Sequence, residues 1–159
     1  MKLIPLSQGK FTQVDDEDFE YISQFKWCYG GYPYRTIKLN GKWTTITMHR
    51  EIMKPDKDLQ VDHIDGNGLN NQKSNLRICT YQQNTMNRRK NNGDHRYKGV
   101  YFNSRHTNNL WQMVIRVTKN GERIKYTKSF STEREAVLAY NQKAIELFGE
   151  FARLNIIDE

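Results

Sequence analysis

The sequence predicts an α+β protein built as two small domains: an N-terminal α+β unit containing a β-β-α element, and a C-terminal three-stranded antiparallel sheet packed on one helix. Three observations lead there. Short runs of alternating apolar and polar residues are joined by Asn40-Gly41 and Asn120-Gly121, dipeptides suited to type I′ hairpin turns. Two capping boxes, Thr80 with Gln83 and Thr132 with Glu135, mark helix starts directly after strands. The charge is also uneven: of the net +7 carried by 159 residues, 1–85 hold +1, 86–128 hold +9 and 129–159 hold −3. Two domains in a chain of this length each have a thin core.

In order, residues 2–14 read as two short strands around Ser7-Gln8-Gly9. Asp15-Asp16-Glu17-Asp18 then places carboxylates at the start of a helix carrying Phe19, Ile22 and Phe25, where acid favours the N-terminus. That run reads as a solvated cap and is assigned no chemistry. Residues 32–39 and 43–47 form a hairpin from which Arg35, Lys38 and Lys42 could reach phosphate. Residues 48–53 form a short helix ending before Pro55.

The chemistry is expected in 61–88. Asp62 and His63 end a short apolar run, Gly66 and Gly68 mark a turn-rich loop, and Asn75-Leu76-Arg77-Ile78 resumes an extended pattern. A helix starting at Thr80 then puts Asn84, Asn87 and Arg88 on one face. Neighbouring side chains on a strand point to opposite faces, so Asp62 and His63 share a site only if the strand ends or twists there. A neutral imidazole, with an ordinary pKa of roughly 6.5, can accept a proton from water near physiological pH. A carboxylate and an amide carbonyl are oxygen donors suited to a hard cation. The bland reading of any one of these residues is a polar turn.

From about Met48 to Arg89 this unit resembles the HNH nuclease family through Asp62-His63, Asn75 and Asn84. The resemblance implies that Asp62 ligates a divalent metal, His63 is the general base, Asn75 pins the loop through its amide, and Asn84 completes the metal shell. The last position is often His in the family; Asn84 is a variant of the intron-encoded nicking and homing branch. The implied products are 5′-phosphate and 3′-hydroxyl ends. His49 and Arg77 are auxiliary candidates, with a buried, hydrogen-bonded histidine as the alternative for His49.

Residues 88–96, which include Arg88 and Arg89, are polar, basic and aperiodic, so they read as a linker that can lie along DNA. The expected domains are therefore 1–90, a linker at 91–96, and 97–159. Strands are expected at 99–103, 111–118 and 123–130. On the middle one Trp111, Met113, Ile115 and Val117 alternate with Gln112, Val114, Arg116 and Thr118, giving one dry face. Ala136, Val137, Tyr140, Ala144, Leu147 and Phe148 form the covering helical stripe, which ends at Gly149. Residues 97–155 resemble the APETALA / ethylene-response-factor DNA-binding domain, which implies that the open sheet face lies in the major groove. The matching positions are Lys98, Tyr101, Arg116, Arg123 and Lys125. The plant pattern has Arg in place of Tyr101, Glu in place of Val114 and Trp in place of Lys125, and its first turn is shorter. Arg116 and Arg123 suit bidentate guanine contacts, and Lys98, Lys125 and Arg105 suit phosphate.

The expected function is a metal-dependent, site-directed DNA endonuclease of the HNH homing type, nicking one strand; its partner is double-stranded DNA, bound as a monomer or a DNA-assembled dimer. The cofactor is magnesium or manganese, and zinc is not expected, since Cys28 and Cys79 lie far apart with no C-x-x-C pairing. Each cysteine reads as a small buried thiol. A competing reading is a catalytically inactive, sequence-specific regulator on the same scaffold. No apolar run reaches the ~20 residues of a membrane helix, and Met1–Pro5 is too short for a signal-peptide core. A cytoplasmic location without membrane contact is therefore expected, and no protein partner is implied.

Overall fold

The computed structural model describes residues 1–88, 95–104, 110–119 and 121–157. It is a mixed α+β structure that divides into two compact units, Met1–Thr85 and Met86–Glu159.

In the first unit β1 (Lys2–Pro5) pairs antiparallel with β2 (Phe11–Val14), and α1 (Asp16–Ile22) follows. Ile4, Leu6, Val14, Ile22, Trp27 and Met48 form its core, with Phe19, Phe25 and Leu69 packed against it. The buried Trp27 indole donates to the Ile22 carbonyl at 2.9 Å. Phe25, expected on the helix, lies past its end, because the chain turns after Ile22 and the Phe25 amide bonds back to the Ile22 carbonyl. A second sheet runs β3 (Cys28–Tyr29), β4 (Pro33–Leu39), β5 (Lys42–Thr47). The β4–β5 turn has Asn40 at φ +47° and Gly41 at φ +79°, the left-handed pair a two-residue hairpin requires. Arg35, expected toward phosphate, instead pairs with Glu51 at 3.0 Å and lies over the Phe25 ring. Helix α2 (Met48–Met53) leads on to β6 (Gln60–His63), which pairs with β7 (Leu76–Cys79) in the register Asp62↔Arg77 and His63↔Leu76. Cys79 is buried as expected, but Cys28 is exposed because its short strand lies on the surface.

Helix α3 (Tyr81–Met86) opens with the predicted reciprocal box: the Gln83 amide hydrogen bonds to the Thr80 hydroxyl and the Gln83 carbonyl accepts from Thr80 N–H. It is shorter than predicted, so Asn87 and Arg88 fall beyond it. The carbonyls of Met86 and Arg88, left without helical partners, accept from the Lys98 ammonium.

In the second unit the strand order is β10 (Glu122–Phe130), β9 (Leu110–Lys119), β8 (Val100–Asn103), all antiparallel. Helix α4 (Glu133–Phe148) has the predicted capping box at Thr132 and Glu135 and ends at Gly149. Its buried Ala136, Val137, Tyr140 and Ala144 pack with Val100, Met113 and Ile115. Gly99 sits at φ +68° beneath Tyr140, where a Cβ would come within 2.2 Å of the ring. Asn155 clips the start of β8 by accepting from the Lys98 amide at 2.7 Å and donating to its carbonyl at 3.0 Å. No described helix is long and apolar enough to cross a membrane.

Candidate active site

The loop between β6 and β7 is closed by its own amides. Asn75 accepts from the Asp65 amide at 3.0 Å and donates to the Asp65 carboxylate at 3.0 Å and the Asn70 carbonyl at 2.9 Å. Asp65 also accepts from Asn67 N–H and the Asn70 amide. Burial alone would raise the Asp65 pKa, but these hydrogen bonds hold it below the ordinary carboxylate value. A carboxylate that accepts from three asparagines acts as a structural staple, which the sequence reading missed. The spacing Asp65-x-Asn67 was its visible signal, an Asx-type turn in which the side chain caps an amide two residues on.

The N-terminal strands secure the far side of this loop. The Thr12 hydroxyl donates to Leu69 O at 2.8 Å, and the fully buried Asn71 donates to Thr12 Oγ1 at 2.8 Å. Asp15 makes no side-chain cap on α1. It accepts instead from Lys73 N–H at 2.7 Å and from Gln72 at 3.1 Å, so the first acid of the run holds the loop.

His63 is 4% exposed, and its Nε2 lies 3.3 Å from Asn71 Oδ1. Tyr32 stacks on the imidazole with ring centroids 5.6 Å apart, and His49 meets it edge-on at 5.1 Å. Burial lowers the His63 pKa, partly offset by Asn71 and by the negative charges of Asp65 and Asp62. His49 is also buried, and burial, His63 and Arg50 together push its pKa down to about 3. Its Nε2 is 3.0 Å from the Thr47 hydroxyl, while Nδ1 is buried with no hydrogen-bond partner among the described residues. Tyr32 was not foreseen. Its ring packs over Gly68, where a Cβ would come within 2.6 Å, and a glycine two residues after Gly66 gave no sign of that neighbour.

Asp62 leaves β6 on the opposite face from His63, as strand alternation requires. Both sit at the end of the strand, which stops at His63. The Asp62 carboxylate receives Arg77 Nη2 at 2.7 Å and Nε at 3.0 Å from its cross-strand partner. Two residues back on the same face, Gln60 accepts the Asn84 amide at 2.7 Å. That bond uses the Asn84 NH2 and leaves its carbonyl as the oxygen donor. Asp62, Arg77 and Asn84 therefore line one side of β6, with His63, Asn71, His49 and Tyr32 on the other. Among the described residues, no group of three or more His, Cys, Asp or Glu is arranged around a metal.

The segment carrying this geometry matches a known family: residues 54–86 fit the HNH endonuclease family model. Over 162 aligned residues the chain is 38% identical to an uncharacterized HNH endonuclease, L560, of Acanthamoeba polyphaga mimivirus, an alignment that covers 98% of this chain and 80% of that protein. The chain belongs to the HNH endonucleases. A second relative of this HNH protein, the H-N-H endonuclease F-TflI of Escherichia phage T5, is 34% identical over 71 residues, covering 40% of the chain and 37% of that protein. No solved structure gives a significant match.

The remaining residues of interest in the HNH chain lie in the second unit. Residues that face each other across strands share a side of the sheet. Arg116 is opposite Lys125, Thr118 opposite Arg123, and Gln112 opposite both Ser129 and Tyr101. This side, away from α4, carries Tyr101, Asn103, Gln112, Val114, Arg116, Thr118, Arg123, Lys125, Thr127 and Ser129, with no acid among them. Arg116, Arg123 and Lys125 are exposed. Lys98, expected on phosphate, is committed to the Met86 and Arg88 carbonyls, and burial lowers its pKa to about 8. Arg88 is exposed, while Arg89 and Arg105 lie outside the described residues.

Proposed function

We propose that this endonuclease, a DNA-cleaving hydrolase, uses His63 as general base and holds a magnesium or manganese ion on Asp62 and Asn84, the two faces of β6 meeting at the substrate where the strand ends at His63, and that it nicks one strand per encounter. The observation that carries the reading is the state of His63. Its imidazole is buried, oriented by Asn71 and kept neutral, one residue from a carboxylate and inside the segment that matches the family.

The donors suit such a cation, since a carboxylate and a carboxamide oxygen are hard ligands and magnesium keeps several waters of its own. Bound there, the cation would supply Lewis-acid stabilisation of charge on the phosphate and the departing oxygen. His63 takes a proton from the water whose oxygen attacks phosphorus; the P–O3′ bond breaks in line, leaving a 5′-phosphate and a 3′-hydroxyl. Asn75 holds the loop rigid behind the base, and His49 and Tyr32 fix the plane of its ring. A single site accounts for a nick, and double-strand cleavage needs a second copy on the DNA.

The duplex grip belongs to the open sheet face, in the manner of an APETALA-type domain. Support comes from the three-stranded sheet on one helix and from the acid-free row of Arg116, Arg123 and Lys125. Arg116 and Arg123 read guanine edges, and Lys125, Arg88, Arg89 and Arg105 contact phosphate, with Tyr101 beside them. The plant recognition sequence does not follow, given Tyr101, Val114 and Lys125.

One observation favours a second reading, a DNA-binding regulator without catalysis: Arg77 already neutralises Asp62, with both side chains largely buried. A supercoiled-plasmid assay separates the two. With magnesium or manganese the wild type yields nicked circles, chelator stops it, and His63→Ala abolishes cutting while retaining duplex binding. Salt-sensitive binding with no cutting in a random-sequence cleavage selection would establish the regulator instead.

A further inference from the structure

Trp43 is 73% exposed near the tip of the β4–β5 hairpin. Indoles are usually buried for most of their area, because leaving one in water forgoes a large hydrophobic gain. Its cross-strand partner is Lys38, and the next pair inward on the same face is Thr36 with Thr45, all exposed. Across the tip Leu39, half exposed, faces Lys42. One face of the ribbon therefore presents an aromatic blade beside the Lys38 ammonium and two hydroxyls, and the opposite face carries Lys42 beside Leu39. No side-chain ion pair or hydrogen bond engages Lys38 or Lys42 among the described residues.

The chemistry around the blade identifies its occupant. Residues 30–50 contain four cations and no acid. Two of these cations are engaged internally, Arg35 with Glu51 and Arg50 with the Leu59 carbonyl, which leaves Lys38 and Lys42 as the outward charge. A cationic tip with an exposed indole matches a polyanion that has stackable faces. The two-residue turn keeps the ribbon narrow enough for a groove of duplex DNA. Thr47, at the root of β5, hydrogen-bonds His49 beside His63, so the ribbon is continuous with the site. At about 3.3 Å per strand residue, Trp43 stands roughly 13 Å beyond Thr47 along the ribbon. That spans about four base pairs at 3.4 Å each.

We propose that the β4–β5 ribbon is a second DNA contact, in which Trp43 inserts at a base step and Lys38 and Lys42 sit on the flanking phosphates. The inference rests on the endonuclease reading. Side chains of this kind unstack a step locally and anchor the protein through stacking, independently of base identity.

The test uses the full chain, duplex DNA and chelator, with tryptophan emission as the readout. Trp27 is buried and Trp111 half-buried, so Trp43 is the water-exposed reporter. Duplex should quench the wild type, and Trp43→Phe should remove most of that quench. Trp43→Ala should weaken binding roughly five- to hundredfold by loss of one stacked base, with an unchanged circular dichroism spectrum. Lys38→Ala and Lys42→Ala should each lower the salt slope of binding by about 0.9. A quench that persists in Trp43→Phe, or wild-type affinity in a folded Trp43→Ala, overturns the inference and leaves the enzyme reading intact. A wild-type chain that fails to bind duplex at all overturns that reading and the inference together.

Discussion

At the scale of single residues, the site is built from side chains that are costly to leave alone. Asp62 and Arg77 are 7% and 12% exposed, so removing the guanidinium strands a buried carboxylate. Arg77→Ala should cost roughly 3–5 kcal/mol in urea unfolding. Magnesium should restore more stability to that variant than to the wild type, because the carboxylate then has another cation to meet; an equal gain in both would place the metal elsewhere. His49 makes stability depend on pH. Its imidazole titrates at 6.5 in the unfolded reference and at about 3 in the fold, so between those values the unfolded chain binds the extra proton. The stabilisation is complete above pH 6.5 and is lost on acidification toward 3, at no more than about 1.4 kcal/mol per pH unit. Urea midpoints measured between roughly pH 7 and pH 5 should fall, and fall less in His49→Gln, if this linkage holds. Asp62, His63, Asn75 and Asn84 were legible because their spacing is local to one strand, loop and helix. Tyr32 and Thr12 were not, because they reach the site from other elements, and Asn71, although in the loop, looks like any other turn asparagine until its contacts with His63 and Thr12 are seen.

At the scale of elements, turns and caps could be read in advance and lengths less so. The Asn40-Gly41 hairpin and both capping boxes formed, since each depends on residues at most three positions apart, and β9 pairs with β10 around the second Asn-Gly, whose Asn120 lies outside the described residues. Helix α3 ends at Met86, one turn earlier than its cap alone suggests, and the carbonyls of Met86 and Arg88 accept from Lys98, contacts that no local pattern reveals. The start of β8 is held in the same nonlocal way. Gly99→Ala must fit a Cβ 2.2 Å from Tyr140 and 2.7 Å from the Val114 carbonyl at a positive φ, and should destabilise by roughly 2–4 kcal/mol. Gly121→Ala, also at positive φ but with nothing within 4 Å, should cost about 1 kcal/mol. Thermal melts of the two variants would separate crowding from backbone strain, and equal losses would deny the close Gly99–Tyr140 approach.

At the scale of the whole molecule, the charge is divided unevenly between the two units. Residues 86–128 hold most of the net charge, and the open face of the second sheet carries three exposed cations without an acid. Lys125→Ala should weaken binding about equally on all sequences and reduce the salt slope by about 0.9. Arg116→Ala and Arg123→Ala should each relax base preference at one position, by about 1–3 kcal/mol. Uniform losses from all three in a binding selection would make the whole row a phosphate rail. The chain's long-range wiring bears finally on when the nuclease comes into being. The β6–β7 loop is tied to Thr12 and Asp15 by bonds spanning 57 to 59 positions. Contacts of that separation form late, because the intervening chain must first be closed into a loop. A nascent chain can close these bonds only once Lys73 has been made, so its N-terminal strands wait for a partner loop more than fifty residues behind them.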